Sequence, residues 1–188
     1  MGLDMYLAVE GGSDPKRVRE LVDAATNDDG SPRFRATWYD GGPAYALGDD
    51  DDDDPILAYW RKANAVHGWI VRELAAGVDE CQRIPITQQQ MQDLHDRCKA
   101  VIDPLPAGAM EPDKTGRKPK VELTEDDLAG LAERAEEQGL MPTPGFFFGS
   151  YGIDVWFAVD LKDTVEQLAA IFATKGLGEA SFVYQASW

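Results

Sequence analysis

The stretch LDMYLAV, residues 3–9, alternates apolar side chains with other side chains. The apolar positions are Leu3, Met5, Leu7 and Val9. Successive side chains of a β-strand point to opposite faces, so this alternation predicts a strand with one buried face. Residues 182–188 repeat the pattern at Phe182, Tyr184, Ala186 and Trp188. Both ends of the chain are therefore predicted to lie in strands, with the last residue tied into the fold.

The residues between these two strands predict a mixture of short strands and amphipathic helices. Aromatic and β-favouring side chains predict strands at residues 34–39, 81–86 and 146–149. Capping residues and apolar stripes predict helices that begin near residues 15, 55, 87, 124 and 154. Strands do not alternate regularly with crossover helices. The sequence therefore predicts one α+β domain over residues 1–188, with about five short strands in a mostly antiparallel sheet and about five helices.

The formal charge of −16, from 34 acidic and 18 basic residues, limits the partners of the chain. A strongly acidic protein repels phosphates, which argues against direct binding to a nucleic-acid backbone or to an anionic membrane face. Two interpretations of the charge stay open. It either solvates the surface, or it docks on a basic partner, including by mimicry of DNA.

Two segments are predicted to be loops. Residues 49–54 are six consecutive aspartates, whose mutual repulsion keeps them exposed. Residues 103–121 are rich in Pro, Gly and Lys and show no apolar periodicity. Such a segment has little to bury, so it is predicted to be flexible unless a partner orders it.

The sequence predicts a cytoplasmic protein without a bound metal or cofactor. No apolar stretch is long enough to cross a bilayer, and the first residues lack the basic and apolar regions of a secretory signal. Cys81 and Cys98 are therefore expected to be reduced thiols. Neither cysteine has the spacing of a zinc site.

Residues 55–75 are predicted to form one long helix that carries the first candidate site. On a helical wheel, His67 lies in the middle of the apolar face, Asn64 at its edge and Arg61 toward solvent. Two explanations compete, because a buried polar side chain needs a hydrogen-bond partner. Asn64 and His67 either bond to backbone groups of a neighbouring strand or loop, or they line a pocket with Arg61. In a pocket, a guanidinium, an amide and an imidazole would suit a small anionic ligand, with Trp69 as a stacking surface.

The glycine-rich segment GSYG, residues 149–152, is a second candidate wall. A turn of this kind after a strand lets backbone amides approach an anion, and the serine adds a hydroxyl. Its spacing matches neither the Walker phosphate loop nor the dinucleotide fingerprint, and no serine lies in a Gly-x-Ser-x-Gly elbow. The candidate ligand-binding residues are Arg61, Asn64, His67, Trp69, Ser150 and Tyr151.

Several blocks of the sequence resemble a family of small phage and prophage proteins. These blocks are MGLDMYL at residues 1–7, YWRKANAVHGW at 59–69, FFGS at 147–150, DLK at 160–162 with Thr164 and EQL at 166–168, and YQASW at 184–188. They run from the first residue to the last, so the resemblance covers the whole chain. The chain departs from the family in the acidic run and in the Pro/Lys-rich stretch before Val121, which the resemblance implies are loop insertions.

Three functional hypotheses follow. The sequence contains no recognisable set of nucleophile, base and orienting group, which favours a non-enzymatic phage or prophage accessory protein that binds a host component or a small ligand. The second hypothesis is a small enzyme or sequestering protein that acts on a nucleotide-like anion at Arg61, Asn64 and His67. The third is a DNA mimic, which needs carboxylates spaced like duplex phosphates, and the run at residues 49–54 does not supply that spacing.

Overall fold

A computed structural model describes residues 2–10, 15–30, 33–34, 38–39, 42–43, 56–111, 121–178 and 180–188. These residues form five helices and six strands, and two of the strands contain only two residues each. In chain order they are β1 (Asp4–Val9), α1 (Pro15–Ala24), β2 (Trp38–Tyr39), β3 (Gly42–Pro43), β4 (Ile56–Arg61), α2 (Asn64–Leu74), β5 (Ile84–Ile86), α3 (Gln88–Ile102), α4 (Glu125–Glu137), α5 (Val155–Phe172) and β6 (Phe182–Ser187). The predicted α+β class is confirmed.

Strand β1 lies inside an antiparallel sheet of four strands in the order β4-β1-β6-β5. On one side β4 brings Trp60 opposite Met5, and on the other side β6 brings Ala186 opposite the same residue. A separate ladder joins β2 to β3. The main sheet thus has four strands where the sequence predicted about five, and the first and last strands of the chain are paired at its centre.

Burial confirms the alternation that predicted the two end strands. The apolar side chains at residues 3, 5, 7 and 9 are all buried, and so are those at residues 182, 184 and 186. Trp188 is partly buried against the same core. The opposite face of β1 contributes Tyr6 and Ala8 to a second, smaller apolar cluster with Ile56 and Val183. The central strand therefore has apolar contacts on both faces.

The predicted starts of the last three helices are confirmed. Thr87 and Thr124 each accept a hydrogen bond from the third amide of their helix in a capping box. Asp154 accepts from the second and third amides of α5, those of Trp156 and Phe157. Helix α3 contacts α4 and α5, and α5 also contacts β4. Within the part of the chain that the structure describes, none of the helices has the length and apolar character that a membrane span needs.

The prediction of a single helix over residues 55–75 is wrong. Residues 56–61 form β4, the chain turns at Lys62, and the helix contains only Asn64–Leu74. The apolar run ILAYW fits a buried helix as well as a strand covered on both faces, and pairing with β1 selects the strand. Lys62 marks the break, because its φ of 63° lies in the left-handed region, outside the range of a right-handed helix.

The prediction of a strand at residues 146–149 is also wrong. The amide of Phe148 donates to the carbonyl of Gly145 at 3.1 Å, and Gly149 has a φ of 91°, so this segment forms a turn. The strand predicted at residues 81–86 is shortened to its last three residues. Cys81 has a φ of 56°, which a strand does not accommodate.

Some predictions fall on residues outside the described ranges. The acidic run at residues 49–54 and Asp14, the predicted cap of the first helix, lie wholly outside them. Of the strand predicted at residues 34–39, the structure places the last two residues in β2, while residues 35–37 are outside the described part.

The segment predicted to be a flexible loop is divided in the same way. Residues 112–120 lie outside the described ranges, but residues 103–111 form successive hydrogen-bonded turns. These turns bury Ala109 completely and bring Leu105 and Met110 against the core. The first half of the segment therefore packs against the core through a few apolar side chains, although it has no periodic pattern.

Candidate functional site

Arg61 ends β4 beside Asp4, the first residue of β1. Its Nη1 lies 2.7 Å from Asp4 Oδ1, and the same carboxylate accepts the hydroxyl of Tyr59. The hydrogen bond to Asp4 raises the pKa of Arg61, while burial and the same carboxylate raise the pKa of Tyr59 to about 12. The Arg61 side chain is 49% exposed, so the guanidinium retains donors that a ligand could reach.

Asn64 is the first residue of α2, and its side chain is buried. Its Nδ2 donates to the backbone oxygens of Phe148 and Ser150 at 3.0 and 2.8 Å. These bonds hold the turn at residues 148–150 against the start of the helix, as the structural explanation of this residue requires. Both amide hydrogens are used, whereas the Oδ1 makes no hydrogen bond with another described residue.

His67 lies one turn further along α2 and is only 1% exposed. Its Nδ1 is 2.7 Å from the Tyr184 hydroxyl, and its Nε2 is 2.9 Å from Oδ2 of Asp79. Burial raises the pKa of Tyr184 well above its ordinary value, so the phenol stays protonated and its O–H donates a hydrogen bond to Nδ1. The Nε2–H then donates to Asp79. The imidazole thus links Tyr184 to Asp79, and both of its ring nitrogens have a partner.

The remaining predicted site residues occupy separate places. Trp69 is buried in the core. Ser150 is exposed, and its Oγ accepts the amide of Gly152 at 3.1 Å. The hydroxyl of Tyr151 donates to the carbonyl of Gly145 at 2.7 Å and accepts its amide at 3.2 Å. The amide of Gly152 is therefore already hydrogen-bonded, which leaves one donor fewer for an anion than the glycine-rich turn at residues 149–152 predicted.

The first of two cavities near these residues is here called the polar cleft. It has a volume of about 210 Å³ and lies between the β4–α2 turn, the segment at residues 149–152 and the start of α5. The polar side chains in its walls are Arg61, Lys62, Asn64, Ser150, Asp154 and Asp160. Half of the predicted site residues therefore meet in this cleft.

The second cavity, here called the aromatic groove, has a volume of about 750 Å³. It is lined by α2, by residues 143–148 and by Trp188, with His67 and Asp79 in its wall. The structure therefore assigns His67 to a different cavity from Arg61 and Asn64. The single pocket that one helix predicted is replaced by two cavities, because Arg61 and Asn64 lie beside the turn at Lys62 while His67, one turn further along α2, faces the groove.

A third cavity, of about 800 Å³, lies between α5 and residues 27–29, 33 and 34. Its walls include Arg33 and Phe34, whose sequence neighbours at residues 31–32 and 35–37 are outside the described ranges, and we assign it no role. Among the residues that the structure describes, no group of three or more His, Cys, Asp or Glu side chains is arranged to hold a metal ion.

Sequence reasoning missed four residues that shape these cavities. Tyr184 and Phe146 were interpreted as strand residues, and Asp79 carried no signal, because its link to His67 exists only in the folded chain. Asp160 did carry a signal. It lies three positions after Phe157 and four before Thr164, both buried, so a helical wheel places a carboxyl beside the apolar stripe of α5.

Comparison with family models, with curated proteins and with solved structures finds no match for this chain. No family assignment therefore comes from these comparisons. The observations that bear on function are the geometry of the polar cleft and of the aromatic groove, together with the charge of the chain and the sequence blocks described above.

Proposed function

We propose that this chain is a phage or prophage accessory protein that acts in the host cytoplasm by binding a host protein in the aromatic groove. The observation that carries the proposal is the exposure of Phe146. This residue is 94% exposed, although phenylalanine is one of the largest apolar residues. Its ring stands edge-on to Phe147, with centroids 4.9 Å apart and planes at 88°. This geometry is favourable for an aromatic pair and presents a fixed apolar surface to a partner.

Burial of such a side chain supplies binding free energy. Covering a phenylalanine contributes about 1.5–3 kcal/mol, which corresponds to an affinity change of about tenfold or more. Aromatic anchors beside a pocket are typical of the few residues that dominate protein interfaces. The groove of about 750 Å³ next to Phe146 is large enough to receive an apolar side chain of the partner in return.

The charge of the chain favours a basic partner. A net charge of −16 attracts cationic proteins at long range and accelerates their association. We therefore expect the host protein to present an apolar side chain flanked by lysine or arginine. Asp79, which is 26% exposed at the groove, is one carboxylate that such a basic residue could reach.

The phage origin rests on the sequence resemblance, and the position of the resembling blocks supports its link to the groove. His67 belongs to the block at residues 59–69, Phe147 and Phe148 to the block at 147–150, and Trp188 to the closing block. All four line the aromatic groove. The alternative of a nucleotide-like anion held jointly by Arg61, Asn64 and His67 lacks such support, since these residues face different cavities.

Capture from host lysate on the immobilised chain tests the proposal when Phe146→Ala is compared with Met141→Ala. Met141 is an exposed apolar residue of the same segment that does not line the groove. We expect Phe146→Ala to reduce retention of a specific basic protein about tenfold or more, while Met141→Ala retains it. Because both residues are exposed, each substitution should change the free energy of unfolding by no more than about 0.5 kcal/mol. Equal retention by both variants would overturn the proposal.

A further inference from the structure

The polar cleft contains a carboxyl group without a partner. Asp160 is half-buried on α5, and its side chain makes no hydrogen bond or ion pair with another described residue. Burial, followed by the nearby carboxylates of Asp163 and Asp154, raises the pKa of Asp160 to about 7. A carboxyl in this position gains most from a cationic group brought by a ligand.

Two other acceptors face the same space. Asp154 uses its Oδ1 to cap α5, where it accepts the amides of Trp156 and Phe157 at 2.9 and 3.0 Å. Its second oxygen makes no hydrogen bond with a described residue, and the same is true of the Oδ1 of Asn64. Together with Asp160 these oxygens give the cleft hydrogen-bond acceptors and negative charge, which an ammonium group requires.

Two cationic side chains also border the cleft. Lys62 lines the cleft, and its ammonium group makes no ion pair with another described residue. Arg61 beside it has one Nη committed to Asp4 and is otherwise half exposed. Lys62 is held in its left-handed conformation by its amide, which donates to the carbonyl of Leu3 at 2.8 Å, and by its carbonyl, which accepts the amide of Asn64 at 2.7 Å. Backbone strain of this kind is concentrated at functional positions.

The size of the cleft limits its ligand. A volume of about 210 Å³ is below that of sites for drug-sized molecules, which begin at roughly 300 Å³. The ligand must therefore be small and must present opposite charges a short distance apart. Trp156, which lines the cleft and is 54% exposed, offers an apolar surface for one side chain of such a molecule.

We propose that the polar cleft binds a small zwitterion of the amino-acid class. The protonated amine contacts Asp160, the free oxygen of Asp154 and Oδ1 of Asn64, while the carboxylate contacts Lys62 and Arg61. This site is separate from the aromatic groove, so its test is independent of the test for binding of a host protein.

Isothermal titration calorimetry of the full chain with glycine, L-alanine, L-serine, L-lysine and L-glutamate tests the proposal. We expect saturable binding of at least one of these five compounds at millimolar concentration or below. N-acetylation, which removes the cationic amine, and methyl esterification, which removes the carboxylate, should each weaken binding of that compound about tenfold or more. Absence of binding by all five compounds would overturn the proposal, and so would equal binding of either blocked form.

Variants locate the site. Asp160→Asn and Lys62→Gln keep the side-chain size and each remove one charge from the cleft, so each should weaken binding about tenfold. Asp126→Asn, an exposed change on α4 away from the cleft, is the matched control and should bind as wild type. Asp160→Asn is expected to fold, because it removes an unpaired half-buried acid. If both cleft variants bind as tightly as the control, the zwitterion does not occupy the polar cleft and the proposal is wrong.

Discussion

At the scale of single residues, His67 shows how a polar side chain is accommodated on a buried helix face. Both ring nitrogens are hydrogen-bonded, one to Tyr184 and one to Asp79. The sequence suggested backbone partners for this residue, and the structure supplies side chains instead. Such a network stabilises the fold only while it is complete, because a buried group that loses its partner costs about 1–3 kcal/mol.

We therefore expect Tyr184→Phe to lower the free energy of unfolding by about 1–3 kcal/mol, since it leaves Nδ1 of His67 without a donor. In a double-mutant cycle with His67→Ala, measured by urea unfolding, the coupling should reach about 0.5–3 kcal/mol. Tyr151→Phe is the control, because that hydroxyl belongs to a side chain that is 54% exposed. A coupling indistinguishable from zero would show that the two rings are only neighbours.

Asp160 makes a second prediction at this scale, on the pH dependence of stability. Its pKa of about 7 in the folded chain exceeds the ordinary 3.8, so the folded state binds a proton that the unfolded state has released. Between about pH 4 and pH 7 this difference lowers stability as the pH rises, and the full cost is present above about pH 7. Asp160→Asn removes the cost.

We expect Asp160→Asn to be more stable than wild type by about 1–3 kcal/mol at pH 7.5 and equal to it near pH 4. Urea unfolding of both proteins across this range measures the difference, in which contributions from the other titrating groups cancel. Asp126→Asn, on the exposed side of α4, should follow the wild-type curve. If the free energies of unfolding of Asp160→Asn and wild type differed by the same amount at all pH values, the raised pKa of Asp160 would be contradicted.

At the scale of elements, Gly68 in α2 decides how closely the segment at residues 143–148 approaches that helix. A Cβ at this position would lie 1.7 Å from Oγ1 of Thr143 and 2.8 Å from its Cβ. Replacement of a helical glycine by alanine ordinarily stabilises a protein by up to about 1 kcal/mol, because alanine favours the helix. Here the steric conflict reverses the sign, since the wall of the aromatic groove has to move.

Gly68→Ala is expected to destabilise the chain by about 1–3 kcal/mol, as overpacking does, and to weaken binding in the groove. Gly130→Ala is the matched control in α4, where the added methyl meets only the flexible end of Arg134, so it should be neutral or stabilising. The double variant Gly68→Ala/Thr143→Gly removes the obstructing atoms and should recover stability. Thermal melts measure these effects. If Gly68→Ala and Gly130→Ala had the same melting temperature relative to wild type, the segment at residues 143–148 would have to move away from α2 at no cost in stability.

At the scale of the whole molecule, the sheet is completed by its last strand. Strand β6 pairs with β1 on one side and with β5 on the other, so it joins the two ends of the chain. Removal of residues 182–188 would unpair both neighbours and expose the core face of β1. We expect this truncated chain to lose cooperative unfolding, because β1 and β5 each lose the strand that pairs with them.

Removal of residues 187–188 alone provides the comparison. It deletes one position of the β1–β6 ladder and the ring of Trp188, which stacks on Phe148 with centroids 6.4 Å apart. This shorter truncation should remain folded with a lowered melting temperature. Circular dichroism melts of the two truncated chains distinguish the outcomes, and a cooperative transition in the chain that lacks all of β6 would contradict the central role of that strand.

Local patterns in the sequence determined much of this architecture. The alternation at residues 3–9 and 182–188 and the capping boxes at Thr87 and Thr124 each involve neighbouring residues, and all were correctly interpreted. The run at residues 56–61 was wrongly interpreted as a helix. A strand covered on both faces is apolar along its whole length, so the spacing of its apolar residues does not distinguish it from a buried helix. Its partner β1 lies some fifty residues earlier in the chain, and only pairing with that strand settles its conformation.

The candidate sites depended still more on the tertiary structure. The sequence by itself determined that Asn64 and His67 require buried partners, since that follows from their polarity and from the apolar residues around them. Which partners they have was decided by the fold, which brings the carbonyls of Phe148 and Ser150 to Asn64 and the hydroxyl of Tyr184 to His67. The same fold separates the polar cleft from the aromatic groove. Contacts across a hundred residues leave no periodic trace along the chain, because they arise from the packing of whole elements rather than from the spacing of residues within one.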